Sequence, residues 1–122
     1  MRNGETLLAF LEDPGAANFL GPILSGKIAA GGDVRLYAEG TGAARLADIG
    51  IAFSDAAEMG TAAEAGCREA PWAVIEGSSE NLETAAFDLI DAARAAGVPS
   101  IGGIDSAANA AFRFRGHAAA PL

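Results

Sequence analysis

The sequence has one cysteine, Cys67, one histidine, His117, and few aromatic side chains. A single thiol excludes an internal disulfide and any cysteine-rich metal site, and it suits a reducing, cytoplasmic setting. Cations are also scarce: 8 Lys and Arg stand against 16 Asp and Glu, for a net charge of −8. A binder of the nucleic-acid backbone needs clustered Lys and Arg, and an anionic membrane surface needs the same, so the charge balance argues against both. No apolar run approaches the roughly 20 residues that cross a bilayer. The opening Met1-Arg2-Asn3-Gly4-Glu5 lacks the apolar core and small-residue cleavage site of a signal peptide. His117 has no metal-ligand set around it and reads as a solvated side chain.

What is present suffices for a core. The 122 residues fit one domain, and 51% of them are hydrophobic, much of that share being alanine, which packs closely but buries little area. The organising stretch is Leu7 to Asn18. The apolar run Leu7–Leu11 predicts a fully buried strand over about Glu5 to Leu11, and Glu12-Asp13-Pro14-Gly15 stops it. A helix is expected from Asn18 to Ala30, with Leu20, Ile23, Leu24 and Ile28 on one face. Starting the helix at Asn18, as its N-cap, keeps Pro22 in the first turn; a start at Pro14 would put Pro22 in the interior, where proline kinks a helix.

The pattern then repeats. Val34–Ala38 predicts the second strand, and Ala43–Ile49 a short helix after the Gly40-Thr41-Gly42 turn. Ile51–Phe53 predicts a short third strand at a sheet edge. Asp55 and Glu58 have capping-box spacing for a helix whose buried stripe is Met59, Ala62, Ala63, Gly66 and Cys67. Pro71 ends it. Trp72–Glu76 predicts the fourth strand, Asn81–Ala96 a helix capped by Gly97, and Val98–Ile104 the fifth strand. Ala107–Phe114 is helix-capable, and residues 117–122 read as a linker-like tail behind a domain of residues 1–116. Five strands alternating with helices predict a three-layer α/β fold, a parallel sheet with helices on both faces, and right-handed crossovers order it 3-2-1-4-5.

In such a sheet the ligand site lies at the carboxyl edge, where strand order reverses between the first and fourth strands. Four loops meet there. They bring Glu12, Asp13, Gly15 and Asn18; Glu39 to Gly42; Glu76 to Glu80; and Asp105, Ser106 and Asn109. Asp13 disfavours a phosphate and favours hydroxyls. Glu76 ends an apolar central strand, where an unpaired carboxylate is costly. Glu76 and Asp105 have two open roles: gripping hydroxyl groups, with one acting as a general base, or capping the backbone turns that follow them. Ser78 and Ser79 read as N-caps and as ligand donors. No GxGxxG follows the first strand, so a dinucleotide is not expected, and no cofactor is implied. Arg113 and Arg115 alternate with Phe112 and Phe114, which suits contact with a second domain or an anionic ligand.

The segments LEDPGAANFLGPIL and AAGVPSIGGIDSAANAAFRFRG, with the short third strand between them, resemble the N-terminal, Rossmann-like half of bacterial GT-B type glycosyltransferase-like proteins. That group includes polysaccharide biosynthesis proteins and relatives of the UDP-GlcNAc 2-epimerases. The resemblance runs from about Leu7 to Gly116. It implies an acceptor-binding half whose donor half lies in a second domain. The epimerase Gly-Thr-Arg-Pro-Glu loop is replaced by Glu12-Asp13-Pro14-Gly15, which argues against epimerisation. On this reading Asp13 or Glu76 activates an acceptor hydroxyl, and Gly15, Asn18, Ser78, Ser79, Asp105 and Asn109 position it. The partner is a sugar or other hydroxyl-rich small molecule. Two other classes stay open: a noncatalytic small-ligand domain, and a scaffold whose alanine-rich helix faces pair into a homo-oligomer.

Overall fold

A computed structural model describes residues 6–61, 64–65, 69–77 and 85–103. Five parallel strands form one sheet, β1 (Leu7–Leu11), β2 (Val34–Ala38), β3 (Ser54–Asp55), β4 (Ala73–Gly77) and β5 (Ser100–Gly103). Their order is β3-β2-β1-β4-β5, as the alternation and the crossover rule require. The chain has the expected Rossmann-like α/β architecture.

The central strand explains the layering. Every residue of β1 is buried, so it has no polar face. Leu7, Ala9 and Leu11 meet the helices α1 (Pro14–Ala29) and α2 (Gly40–Asp48). Leu8 and Phe10 point the other way, into a cluster with Val74, Met59 and Leu89 and Ala93 of α3 (Ala85–Ala95). This is period-two alternation in a strand covered on both sides. α1, α2 and α3 end alike. The N–H groups of Gly32, Ile51 and Val98 reach back to the carbonyls of Lys27, Leu46 and Ala93, at 2.8 to 2.9 Å. Glycines 31, 50 and 97 supply the left-handed residue this Schellman turn needs.

Several boundaries differ from the sequence expectation. α1 begins at Pro14, not at Asn18. Asp13 is the N-cap, in extended conformation, and its carbonyl accepts the first helical bond from Ala17 N–H at 3.0 Å. Pro14 suits that start, since the first helical N–H has no partner to lose. Pro22 is therefore interior. It and Asn18 are both exposed, so the bond that Pro22 cannot make is missing from the solvent side of the helix, where water can serve the Asn18 carbonyl. α2 likewise starts earlier, at Gly40 after the N-cap Glu39.

The edge strand is Ser54–Asp55, paired with Tyr37 and Ala38, and not Ile51–Phe53. Ile51 and Phe53 instead pack half-buried against the core under α1 and α2. Asp55 caps only a 3-10 turn, Ala56–Glu58, by accepting from Ala57 N–H at 2.8 Å. The capping box lies further on: Thr61 N–H donates to Glu64 Oε1 at 2.9 Å, and Glu64 N–H donates to Thr61 Oγ1 at 3.1 Å. Gly60, at φ +74°, separates the two turns. β5 begins at Ser100 and not at Val98, and Ala86, Leu89, Ile90 and Ala93 of the predicted stripe are buried on α3. Cys67, the expected helix start at Asn81, and the tail from Ile104 lie outside the described residues. Among the described residues no helix is long and apolar enough to cross a membrane.

Candidate functional site at the carboxyl edge of the sheet

Two close approaches build the edge. At the end of β4, a Cβ on Gly77 would stand 2.3 Å from the Ala16 Cβ, so only glycine lets the first turn of α1 settle across β4. At the start of α2, Gly42 N–H donates to the Glu12 carbonyl at 2.7 Å, and a Cβ there would come within 2.6 Å of that same carbonyl. Glu39 N–H also donates to the Leu11 carbonyl, at 3.2 Å, which carries the β1–β2 pairing one step past the strands. The loops after β1 and β2 are thus locked to each other.

This clamps acids together. Glu39 is held above its usual range, first by partial burial and then by the negative charges of Glu12 and Asp55. Glu76 is a different case. It pairs in register with Phe10 on one side and Gly102 on the other, and it is completely buried. Neither of its carboxylate oxygens has a hydrogen-bond partner among the described residues. Burial alone pushes its carboxyl up to about 8, so at neutral pH it carries a proton.

The sequence-predicted residues fall as follows. Asp13 and Gly15 open α1. Asn18 lies one turn further, where its Oδ1 accepts from Arg45 Nε at 2.8 Å and ties α1 to α2. Glu76 shares a face with Val74 toward α3, since Gly77 is the residue that meets α1. Asp13, as the cap of α1, belongs to the opposite layer. Ser78, Ser79, Asp105 and Asn109 lie outside the described residues. Glu12 and Glu39 were both expected at this edge, in the loops after neighbouring strands; that the charge of Glu12 acts on Glu39 is seen only in the structure.

Acids stand at both ends of the sheet: at the amino end Asp33 and Glu69 each lie 3.7 Å from the Arg35 guanidinium. Lys27, Arg45 and Arg94 occupy the last turns of α1, α2 and α3, where they complement the helix dipoles, and Arg35 is the second residue of β2. These are the four described cations; Arg45 reaches Asn18 behind the carboxyl edge, and the other three lie away from it. Glu12, Asp13, Glu39, Asp55 and Glu76 line that edge. Such a site repels phosphate and accepts hydroxyl donors. Among the described residues no group of three or more His, Cys, Asp or Glu is placed to hold a metal ion. No family model, no curated protein and no solved structure matches the chain.

Proposed function

We propose that the chain is the acceptor-side half of a sugar-nucleotide-dependent glycosyltransferase-like protein of bacterial surface polysaccharide biosynthesis, and that its carboxyl edge takes a hydroxyl-rich acceptor. The observation that carries this reading is Glu76, a buried carboxyl with unbonded oxygens at the point where strand order reverses. The resemblance of the first loop and first helix supplies the family. The acidic edge agrees with it, because an acceptor half needs no phosphate grip. In the transfer, the acceptor hydroxyl gives its proton to Glu76 in its ionised form, which becomes the major one only above about pH 8. The freed oxygen bonds to the anomeric carbon of the donor sugar, and the nucleotide leaves with the electrons of the broken bond. The donor belongs to a second half. Asp13 is the other candidate base, and Gly15, Asn18, Ser78, Ser79, Asp105 and Asn109 orient the acceptor.

One observation favours a second reading. Glu76 is closed off from solvent, which suits a noncatalytic ligand domain in which this acid is structural. Calorimetry and thermal shift with neutral hexoses and with UDP-, GDP- and CDP-sugars separate the two. The acceptor reading expects weak binding of neutral sugars, no gain from the nucleotide, and at least a tenfold loss in Glu76→Gln. Sugar binding untouched by Glu76→Gln selects the noncatalytic reading. No binding of any of these compounds removes both.

A further inference from the structure

The opposite, amino end of the sheet holds a cavity of about 250 Å³ between the sheet and α3. Its described lining is wholly apolar. Leu8, Val74 and Val98 contribute from the sheet side. α3 contributes Leu89 and the small side chains of Ala92 and Ala93, and Ala96 follows just past its end. The loop before β4 contributes Ala70 and Pro71. Ala70 is held at φ +43°, the only described non-glycine residue with positive φ. That conformation is disfavoured for an L-residue, and doubly so before proline. Strained backbone of this kind persists where the surroundings enforce it, and it gathers at ligand clamps.

The pocket is half open to solvent at Ala96, its apolar walls offer water few partners, and an enclosed apolar cavity of roughly 150 Å³ already accepts benzene. We propose that this cavity is a binding site for a small apolar ligand, a single aromatic ring or a short branched alkyl group. It uses none of the carboxyl-edge residues, so it stands or falls apart from the function proposed above.

Trp72, the only tryptophan, follows Pro71 directly and is half-exposed, so its fluorescence reports on the loop. The test titrates the 122-residue chain with benzene and p-xylene while following Trp72 emission, the methyl NMR signals of Leu8, Val74 and Val98, and the melting temperature. Saturable methyl shifts with a rise in Tm are expected. Ala92→Leu and Ala96→Leu, at half-buried and exposed positions, fill the cavity from its wall. Each is expected to weaken binding at least tenfold, and either serves if the other does not fold by circular dichroism. Absence of saturable shifts in the wild-type chain overturns the proposal. So does undiminished affinity in a folded variant.

Discussion

Gly77 and Ala16 touch across the layers of the fold: a Cβ on Gly77 would stand 2.3 Å from the Ala16 Cβ, well inside contact distance. The contact places the first turn of α1 over the end of β4, next to Glu76. Gly77→Ala is therefore expected to destabilise the chain by about 1–3 kcal/mol, the usual cost of overpacking. Gly26→Ala is the control. A Cβ at Gly26 meets nothing within 4 Å in the same helix, so this change is expected to stabilise by about 0.5–1 kcal/mol. Urea denaturation of both variants checks the pair.

Glu76 makes stability fall as pH rises. Its folded carboxyl is raised from 4.5 to about 8, so between those values the folded chain holds a proton that the unfolded chain has released. The contribution is fully present below pH 4.5 and is lost as pH climbs through about 8. The slope approaches about 1.4 kcal/mol per pH unit inside that window. Glu76→Gln is expected to flatten it, leaving a variant that outlasts the wild-type chain above pH 8. Denaturation midpoints across a pH series measure this.

The Glu12–Glu39 pair gives a second titration. Glu12→Gln removes one of the charges that raise Glu39, so the Glu39 carboxyl is expected to titrate at lower pH in the variant. Burial and Asp55 still act on it, and a part of the shift should remain. NMR titration of the Glu39 side-chain carboxyl follows the change.

Ala70→Gly is expected to stabilise. Glycine adopts the left-handed region without the ~1–2 kcal/mol penalty of an L-residue, less the chain entropy it loses on folding. The net gain should be about 0.5–1 kcal/mol. A loss of stability instead would mean that the Ala70 methyl contributes more to the cavity wall than its backbone strain costs. Thermal unfolding decides the sign.

Pro22→Ala restores an N–H inside α1. Interior proline costs about 3 kcal/mol against alanine, offset in part because proline restrains the unfolded chain. Since Pro22 is exposed and its ring packs little, a gain of about 1–2 kcal/mol is expected. Amide exchange of residues 18–26 should slow in step.

The sequence by itself determined the layers, the strand order and the helix ends. The unbroken apolar run Leu7–Leu11, the glycines at 31, 50 and 97, and the right-handed crossover follow local or topological rules, and each was legible along the chain. The sequence also pointed to Glu76 as a misplaced carboxylate, because a charge ending an apolar strand is visible without coordinates. Only the tertiary structure decided the rest. Asp13 and Asn18 are both good N-caps by residue type; the choice depended on which side of α1 faces water at Pro22. The third strand moved from Ile51–Phe53 to Ser54–Asp55 because the more apolar segment is drawn under α1 and α2. Gly42 and Gly77 look like ordinary turn residues until a neighbouring backbone or side chain closes over them. The full burial of Glu76 and the mutual repulsion of Glu12 and Glu39 are likewise non-local, since they arise from strands that lie far apart in sequence and adjacent in the sheet.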